Sequence, residues 1–445
     1  MLLKSLKTEL IPTLKLAIPM IGTQLLNYGQ QIIDTVMAGR HSALTLSGVS
    51  LANQLFALVY LLMSGVGISF SAYISRHHGA EDSTAVRRYF QQGLWLFWGM
   101  SLLTVLLTLL CAYLPYVLGS QADIAAQSNA YLLILALPAG IFVFAGVARY
   151  FMEGMASPRM INIVQACLLP VNALGNYVFL TYTDWGAAGM AVSTAICYLL
   201  YFILLLGILL KDKRWRHYRL FSRISRPRKD ILYSLIAVGL PIGVAIMMEV
   251  GMFAFISVMA SRSSAIMTGA NQIAGNYLGV MFMIPLGMSA ALTIRTANAL
   301  GRDDWQAIRD RSIAGLLFCT IFMLSASVAM YFLRAEIAAI YTKDLQIIAL
   351  AVQILLIMAF FQLADGLQVA ATGILRGLGD TRIILGFAMF GYWIIGIPVG
   401  CLLFYGFDMG IIGLWIGCAL GLFIFAALAI HRVFKHLQRH GVLYG

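Results

Sequence analysis

The stretch Asp34-Thr35-Val36-Met37-Ala38 returns 222 positions later as Ile256-Ser257-Val258-Met259-Ala260, and the reading of the chain turns on that return. The same ungapped shift lays Pro19 on Pro241, Gly79 on Gly301, Asp82 on Asp304, Ala85 on Ala307 and Arg87 on Arg309. One residue more pairs Gly154 with Gly377 and Arg159 with Arg382. A return sustained over this distance marks the 445 residues as a tandem repeat of two halves.

Composition says what each half is made of. The chain is 61% hydrophobic and 11% charged, against roughly 25% charged for a soluble domain, so lipid is its main solvent. A spanning helix needs about 20 largely apolar residues. Between the charge clusters such windows lie near 12–38, 44–73, 89–118, 124–148, 160–183 and 186–210, and again near 231–260, 266–294, 312–333, 346–374, 383–407 and 409–431. The expected fold is an all-α membrane protein with twelve transmembrane helices in two six-helix lobes. Residues 1–210 form the N-lobe, 211–230 a basic cytoplasmic linker and 231–445 the C-lobe. Because each half holds an even number of spans, both enter the membrane from one side, which makes this a parallel repeat about a pseudo-twofold along the membrane normal. Transporters of that build hold their substrate near the midplane, where the halves meet.

A formal charge of +12 invites a nucleic-acid reading, but the distribution of the basic residues decides otherwise. Of the 30 Lys and Arg, 4 (Arg40, Arg262, Arg334 and Lys343) fall on one side of the membrane and 26 on the other. The positive-inside rule then predicts a multi-pass inner-membrane protein with both termini cytoplasmic. The densest cluster, Lys211 to Lys229, is read as a topology-setting linker on anionic lipid headgroups. Lys4 and Lys7 precede an apolar stretch too long for a signal-peptide core, so it is expected to be retained as the first helix. The six cysteines, Cys111, Cys167, Cys197, Cys319, Cys401 and Cys418, sit in apolar spans without CxxC spacing and read as packing residues.

Three acids break the apolar pattern: Asp34, Glu249 and Asp365, with no Lys or Arg well inside any span to pair with them. A charge at the bilayer centre costs about 2.5–3.5 kcal/mol on insertion scales and commonly lines an ion or substrate pathway. A buried carboxylate escapes that cost by protonation or by holding a cation. An acid that exchanges one for the other couples two flows through a single charge. Asp34 follows Gln24, Asn27, Tyr28, Gln30 and Gln31, and Asn172 and Asn176 share one face of the fifth span; oxygen donors of this kind suit a hard cation such as Na+. Glu249 sits among Met247, Met248, Met252, Phe253 and Phe255, while Asp365 follows Phe360, Phe361 and Gln362, with Gln368 one turn on. Soft and aromatic surface beside an acid can hold a bulky lipophilic cation.

These residues resemble the multidrug and toxic compound extrusion (MATE) family of transporters, in its bacterial NorM branch. The resemblance covers essentially the whole chain. It is carried by Asp34 ahead of Val36-Met37-Ala38-Gly39, Glu249 in the seventh span, and Asp365 ahead of Leu375-Arg376-Gly377-Leu378-Gly379-Asp380-Thr381. It implies a cation site in the N-lobe at Asp34, Asn172, Asn176 and Thr194, and a second in the C-lobe at Glu249 and Asp365. The first would carry one charge fewer than in relatives with an acid where Asn176 stands, which leaves Na+ and H+ both open as coupling ion. The substrate cleft would draw on Tyr28, Gln30, Phe253, Gln272, Phe361 and Gln368. The implied activity is secondary active efflux of cationic drugs or dyes in exchange for Na+ or H+, by a monomer among membrane lipids, with no cofactor and no nucleic acid.

Two alternatives leave their own marks. A lipid-linked oligosaccharide flippase carries anionic pyrophosphate and would need arginines inside its spans. An intramembrane enzyme would need a nucleophile with a base, or a metal cluster, and all seven histidines lie in loops or at the end of the last span. No GxxxxGK[ST] phosphate loop is present to support ATP-driven pumping.

Overall fold

The computed structural model describes residues 2–442, with side chains from Glu9 onward. Twelve long helices follow one another: α1 (Leu2–His41), α2 (Ala43–Gly79), α3 (Ser83–Val117), α4 (Ala122–Gly154), α5 (Arg159–Tyr182), α6 (Ala187–Lys211), α7 (Lys229–Ser263), α8 (Ala265–Gly301), α9 (Trp305–Tyr341), α10 (Leu345–Leu378), α11 (Thr381–Gly406) and α12 (Ile411–Arg439). Eleven of them are long and apolar enough to cross a membrane. The twelfth, α1, has ample length at 40 residues, but the polar run from Gln24 to Asp34 lowers its hydropathy. Several helices outrun the apolar windows. The charges of Arg309, Asp310 and Arg311 end the apolar window of α9, yet the helix begins at Trp305, because Asp304 caps it by accepting the Ala307 N–H at 2.9 Å.

The repeat is written into these helix ends. Ser42 and Ser264 cap α2 and α8, accepting from Thr45 and Met267, and Asp82 caps α3 as Asp304 caps α9. Each pair stands 222 residues apart. Positive φ recurs in step: Glu81 at 56° and Asp303 at 55°, Ala156 at 54° and Gly379 at 79°. Left-handed backbone at non-glycine residues is uncommon, so its return at matched positions reports a shared turn geometry.

The chain forms two compact units, one of Gly22–Gly243 and the other of the described residues up to Ile21 with those from Val244 onward. The expected division at the linker differs from this: the cuts fall inside α1 and α7, themselves 222 residues apart and just after Pro19 and Pro241. The reason is close helix packing through small residues. In the first unit Gly65 of α2 faces the early part of α7, where an added Cβ would lie 2.2 Å from the Gly243 nitrogen; in the second, Gly287 of α8 faces the early part of α1, its Cβ 2.6 Å from the Ile21 nitrogen. The linker belongs wholly to the first unit. Gln91 and Gln92 of α3 hydrogen-bond its backbone at Leu220, Ser222 and Arg226, and Trp95 bonds Ser225.

α11 departs from a regular helix. It carries two π-helical stretches, Met389–Gly396 and Leu402–Gly406; Gly391 and Gly396 of the first, with Gly400 in the turn between them, meet Gly417 and Gly421 of α12 almost backbone to backbone. Widened turns of this kind often accompany functional sites, and this one sets Tyr392 into the second unit's core. Of the six cysteines, all free, Cys197, Cys319 and Cys418 are buried, whereas Cys167 on α5 is exposed and so is not the packing residue expected.

Candidate functional site

The first unit gathers Asp34 from α1, Asn172 and Asn176 from α5 and Thr194 from α6. Asp34 is 7% exposed and accepts a 2.6 Å hydrogen bond from the Asn176 Nδ2. The same amide reaches the Asn172 Oδ1 at a longer 3.4 Å. The four-residue spacing of the two asparagines stacks them on one face, and Ser193 fastens that face to α6 by donating to the Asn172 carbonyl at 3.0 Å. Thr194 donates to the Met190 carbonyl and is engaged by Tyr131 of α4. The Asn176 Oδ1 and the Asn172 Nδ2 are buried without a partner. A carboxylate with an amide oxygen left free at its side is a donor set that fits a small hard cation or a proton.

The second unit holds another group of buried polar side chains. Asp365 of α10 is 1% exposed and neither of its oxygens has a hydrogen-bond partner. Glu249 of α7 is half-buried, one oxygen sealed without a partner, and receives a hydrogen bond from Gln368. The Gln362 amide and the Tyr392 hydroxyl are also buried and unpartnered. Native interiors leave few such atoms unpaired, and here several fall close together on α10 and its neighbours. Among the described residues no cluster of three or more His, Cys, Asp or Glu could hold a metal ion.

The expectation that no basic group accompanies the acids needs correction. Arg376, near the end of α10, is 8% exposed and faces Glu249 as its opposite charge, with its Nε buried and unpartnered. Arg149 of α4 is buried too, in a 2.9 Å salt bridge to Glu153 and bonded to the Tyr60 hydroxyl at 3.1 Å. Both arginines stand just beyond their apolar windows, but α4 and α10 continue past those windows and carry them into the packed interior. Side chains on a helix lean toward its N-terminus, which draws the Arg376 head back up α10.

The other candidates divide. Tyr28 and Gln30 are half-buried in the first unit. Phe253 is half-buried, 6.1 Å from the Trp415 ring and tilted to it, while Phe361 is fully buried and stacked on that same indole, also at 6.1 Å. Phe361 is therefore a core residue. Gln368 lies beside Glu249, and Gln272 is exposed, bonded to Asn276 at 3.0 Å. Arg376, Tyr392 and Trp415 escaped the sequence reading. The α10 spacing 365, 372, 376, one face by helical period, was the available signal for Arg376; the π-helical phase of α11 concealed Tyr392.

Comparison with known proteins finds the MatE family pattern over residues 19–178 and 241–402, one match in each half of the repeat. The chain is 33% identical over 443 residues to a probable multidrug resistance protein NorM of Xanthomonas axonopodis pv. citri, covering 97% of this chain and 95% of that protein. It is 32% identical over 431 residues to a protein of the same description from Xylella fastidiosa, covering 95% and 91%. A crystal structure of MATE in the bent conformation superposes with a TM-score of 0.90 at 18% identity, covering 98% and 97% of the two chains; that likeness speaks to the fold.

Proposed function

The chain belongs to the MatE family, and from that premise we propose that it is a secondary active transporter that expels cationic lipophilic drugs or dyes in exchange for Na+ or H+. The observation that carries this reading is the set of buried carboxylate oxygens without protein partners, at Asp365 and Glu249, together with Asp34 held by one asparagine amide. Such a group is tolerable in a membrane interior when protonated or cation-bound, and alternation between occupants is what an exchanger needs. The coupling cation binds at Asp34 with Asn172, Asn176 and Thr194, or at Glu249 and Asp365, and its binding displaces the drug. Release of that cation on the other side readies the site for the next drug molecule. The names of the curated relatives, probable multidrug resistance proteins, favour drugs as cargo. The asymmetry of basic residues favours a bacterial inner membrane with cytoplasmic termini.

Arg376 does not revive the flippase reading, because one guanidinium among two carboxylates leaves no surplus positive charge for a pyrophosphate. The test is drug efflux in cells expressing Asp34→Asn, Glu249→Gln and Asp365→Asn, each at wild-type membrane abundance. Loss of efflux is expected in each; normal efflux in all three overturns the proposal.

A further inference from the structure

In the second unit the Glu9 carboxylate of α1 answers two arginines, Arg295 of α8 and, at 3.0 Å, Arg311 of α9. Arg295 also donates to the Thr13 hydroxyl at 2.7 Å and the Glu9 carbonyl at 3.1 Å, and Arg311 to the Arg295 carbonyl at 2.7 Å. Asp310, next along α9, pairs with Arg309. Two guanidiniums on one carboxylate leave a surplus positive charge, on arginine side chains 12% and 8% exposed, and both keep N–H groups beyond these bonds. Charge so far out of water is costly unless an anion answers it.

The first unit builds the same corner without charge. The shift of 222 carries Arg295 and Arg311 back onto Tyr73 and Tyr89, whose rings stack at 5.3 Å, and Glu9 onto Ile231. Ions are therefore not what the packing of this corner requires. Gln92 and Trp95 of α3, which hold the linker backbone at Arg226 and Ser225, return on α9 as Ala314 and Leu317, with no polar group to fasten a covering segment. They instead line an apolar groove of about 270 Å³ between Leu10 of α1 and the face of α9 down to Ser325. Arg311, Ala314, Phe318, Ile321 and Ser325 follow at three- and four-residue steps, so Arg311 heads the groove's own stripe. Its side chain leans toward the helix N-terminus, away from the apolar part. From Ala314 to Ser325 the helix rises about 16 Å, about the half-thickness of a hydrocarbon core.

We propose that the groove and the Glu9, Arg295 and Arg311 cluster form one binding site for an anionic phospholipid, its phosphate on the guanidiniums and an acyl chain along α9. Guanidinium N–H groups make strong charge-assisted bonds to phosphate, and the near-parallel Phe318 and Phe322 rings offer the chain an apolar wall. A phosphatidylglycerol brings the single negative charge that the cluster lacks. A phosphatidylcholine cancels its own phosphate with an ammonium and gains less.

The test is lipid titration of the purified full-length protein, read by native mass spectrometry, with phosphatidylglycerol and phosphatidylcholine of identical acyl chains. The wild type is expected to bind a phosphatidylglycerol at least about fivefold more tightly, the factor that one basic charge near a headgroup supplies. Glycerol phosphate, the same headgroup chemistry without a chain, should fail to displace it at equal concentration. Arg295→Gln removes the surplus charge and should lose the preference. Ile321→Trp fills the groove from a position 61% exposed, leaves the charges in place, and should lose the tightly bound lipid. A wild type without the preference overturns the site, as does displacement by glycerol phosphate or a folded Arg295→Gln that keeps the preference. If Arg295→Gln fails to fold, the Ile321→Trp protein decides: binding equal to the wild type's overturns the site.

Discussion

Replacing Gly65 with alanine should separate two helices that have no room to part. A methyl at that position would lie 2.2 Å from the Gly243 nitrogen, 2.5 Å from its Cα and 2.6 Å from the Gly239 oxygen. Comfortable carbon contacts begin at about 3.5 Å, so the α2 and α7 backbones must move apart by about 1 Å, and backbone cannot rotate away as a side chain can. Overpacking of this kind costs about 1–3 kcal/mol, and the upper end is expected because every close neighbour is main chain. The repeat supplies a second instance in Gly287→Ala, whose methyl would meet Ile21 Cα at 2.6 Å, and a control in Gly99→Ala, where nothing lies within 4 Å. The control should even gain up to about 1 kcal/mol of helix propensity. Thermal unfolding of the detergent-purified protein, followed by fluorescence-detected size exclusion, should rank Gly99→Ala at or above the wild type, with Gly65→Ala and Gly287→Ala well below. A Gly65→Ala protein that melts with the wild type would refute the crossing and the placement of both unit boundaries inside helices.

Three further outcomes follow from particular contacts. Asn176→Ala removes the 2.6 Å bond to Asp34, a charge-assisted bond worth about 1.5–3 kcal/mol, and should weaken the apparent affinity for the coupling cation by about tenfold or more while expression holds; unchanged cation dependence of efflux would count against the cluster. Replacing Gln91 and Gln92 together with leucine releases the linker backbone, and trypsin should then cut between Arg219 and Arg228 faster than in the wild type, as gel densitometry would reveal. The Asp380 carboxyl is held below the usual aspartate range by its hydrogen bond to His436 and then by Arg432, at 2.8 and 2.7 Å. Its contribution to stability is complete above the ordinary aspartate pKa and is lost as pH falls through the lower folded value, so Asp380→Asn should flatten the acid limb of a melting-temperature profile and leave its neutral part merely lowered.

Much of the architecture is legible because the physics behind it is one-dimensional. A lipid solvent demands apolar windows of fixed length, and duplication leaves residues at a fixed shift, so the helices and their pairing can be counted along the chain. Asp34, Asn172 and Asn176 could be grouped because an acid and stacked amides in apolar spans have few other uses; the structure brings them within hydrogen-bond reach. What escaped depends on three dimensions. The apolar window of α10 ends at about residue 374, and only the helix's continuation to Leu378 buries Arg376. The π-helical turns of α11 shift its faces out of the 3.6 period, which hid Tyr392. Phe361 looked like ligand surface from its nearness to Asp365, one helical turn on, but its ring is fully buried and stacks on Trp415 in the core. That the unit boundaries fall inside α1 and α7 depends on glycines whose closeness to backbone no composition reveals.

The most direct test of the central claim is ethidium movement in proteoliposomes driven separately by a sodium gradient and by a proton gradient, for the wild type and for Asp34→Asn. The account predicts that at least one gradient drives ethidium transport in the wild type and that the asparagine variant, reconstituted to the same density, loses it. Ethidium transport that neither gradient accelerates, or that Asp34→Asn leaves intact together with the Glu249→Gln and Asp365→Asn proteins, would contradict it.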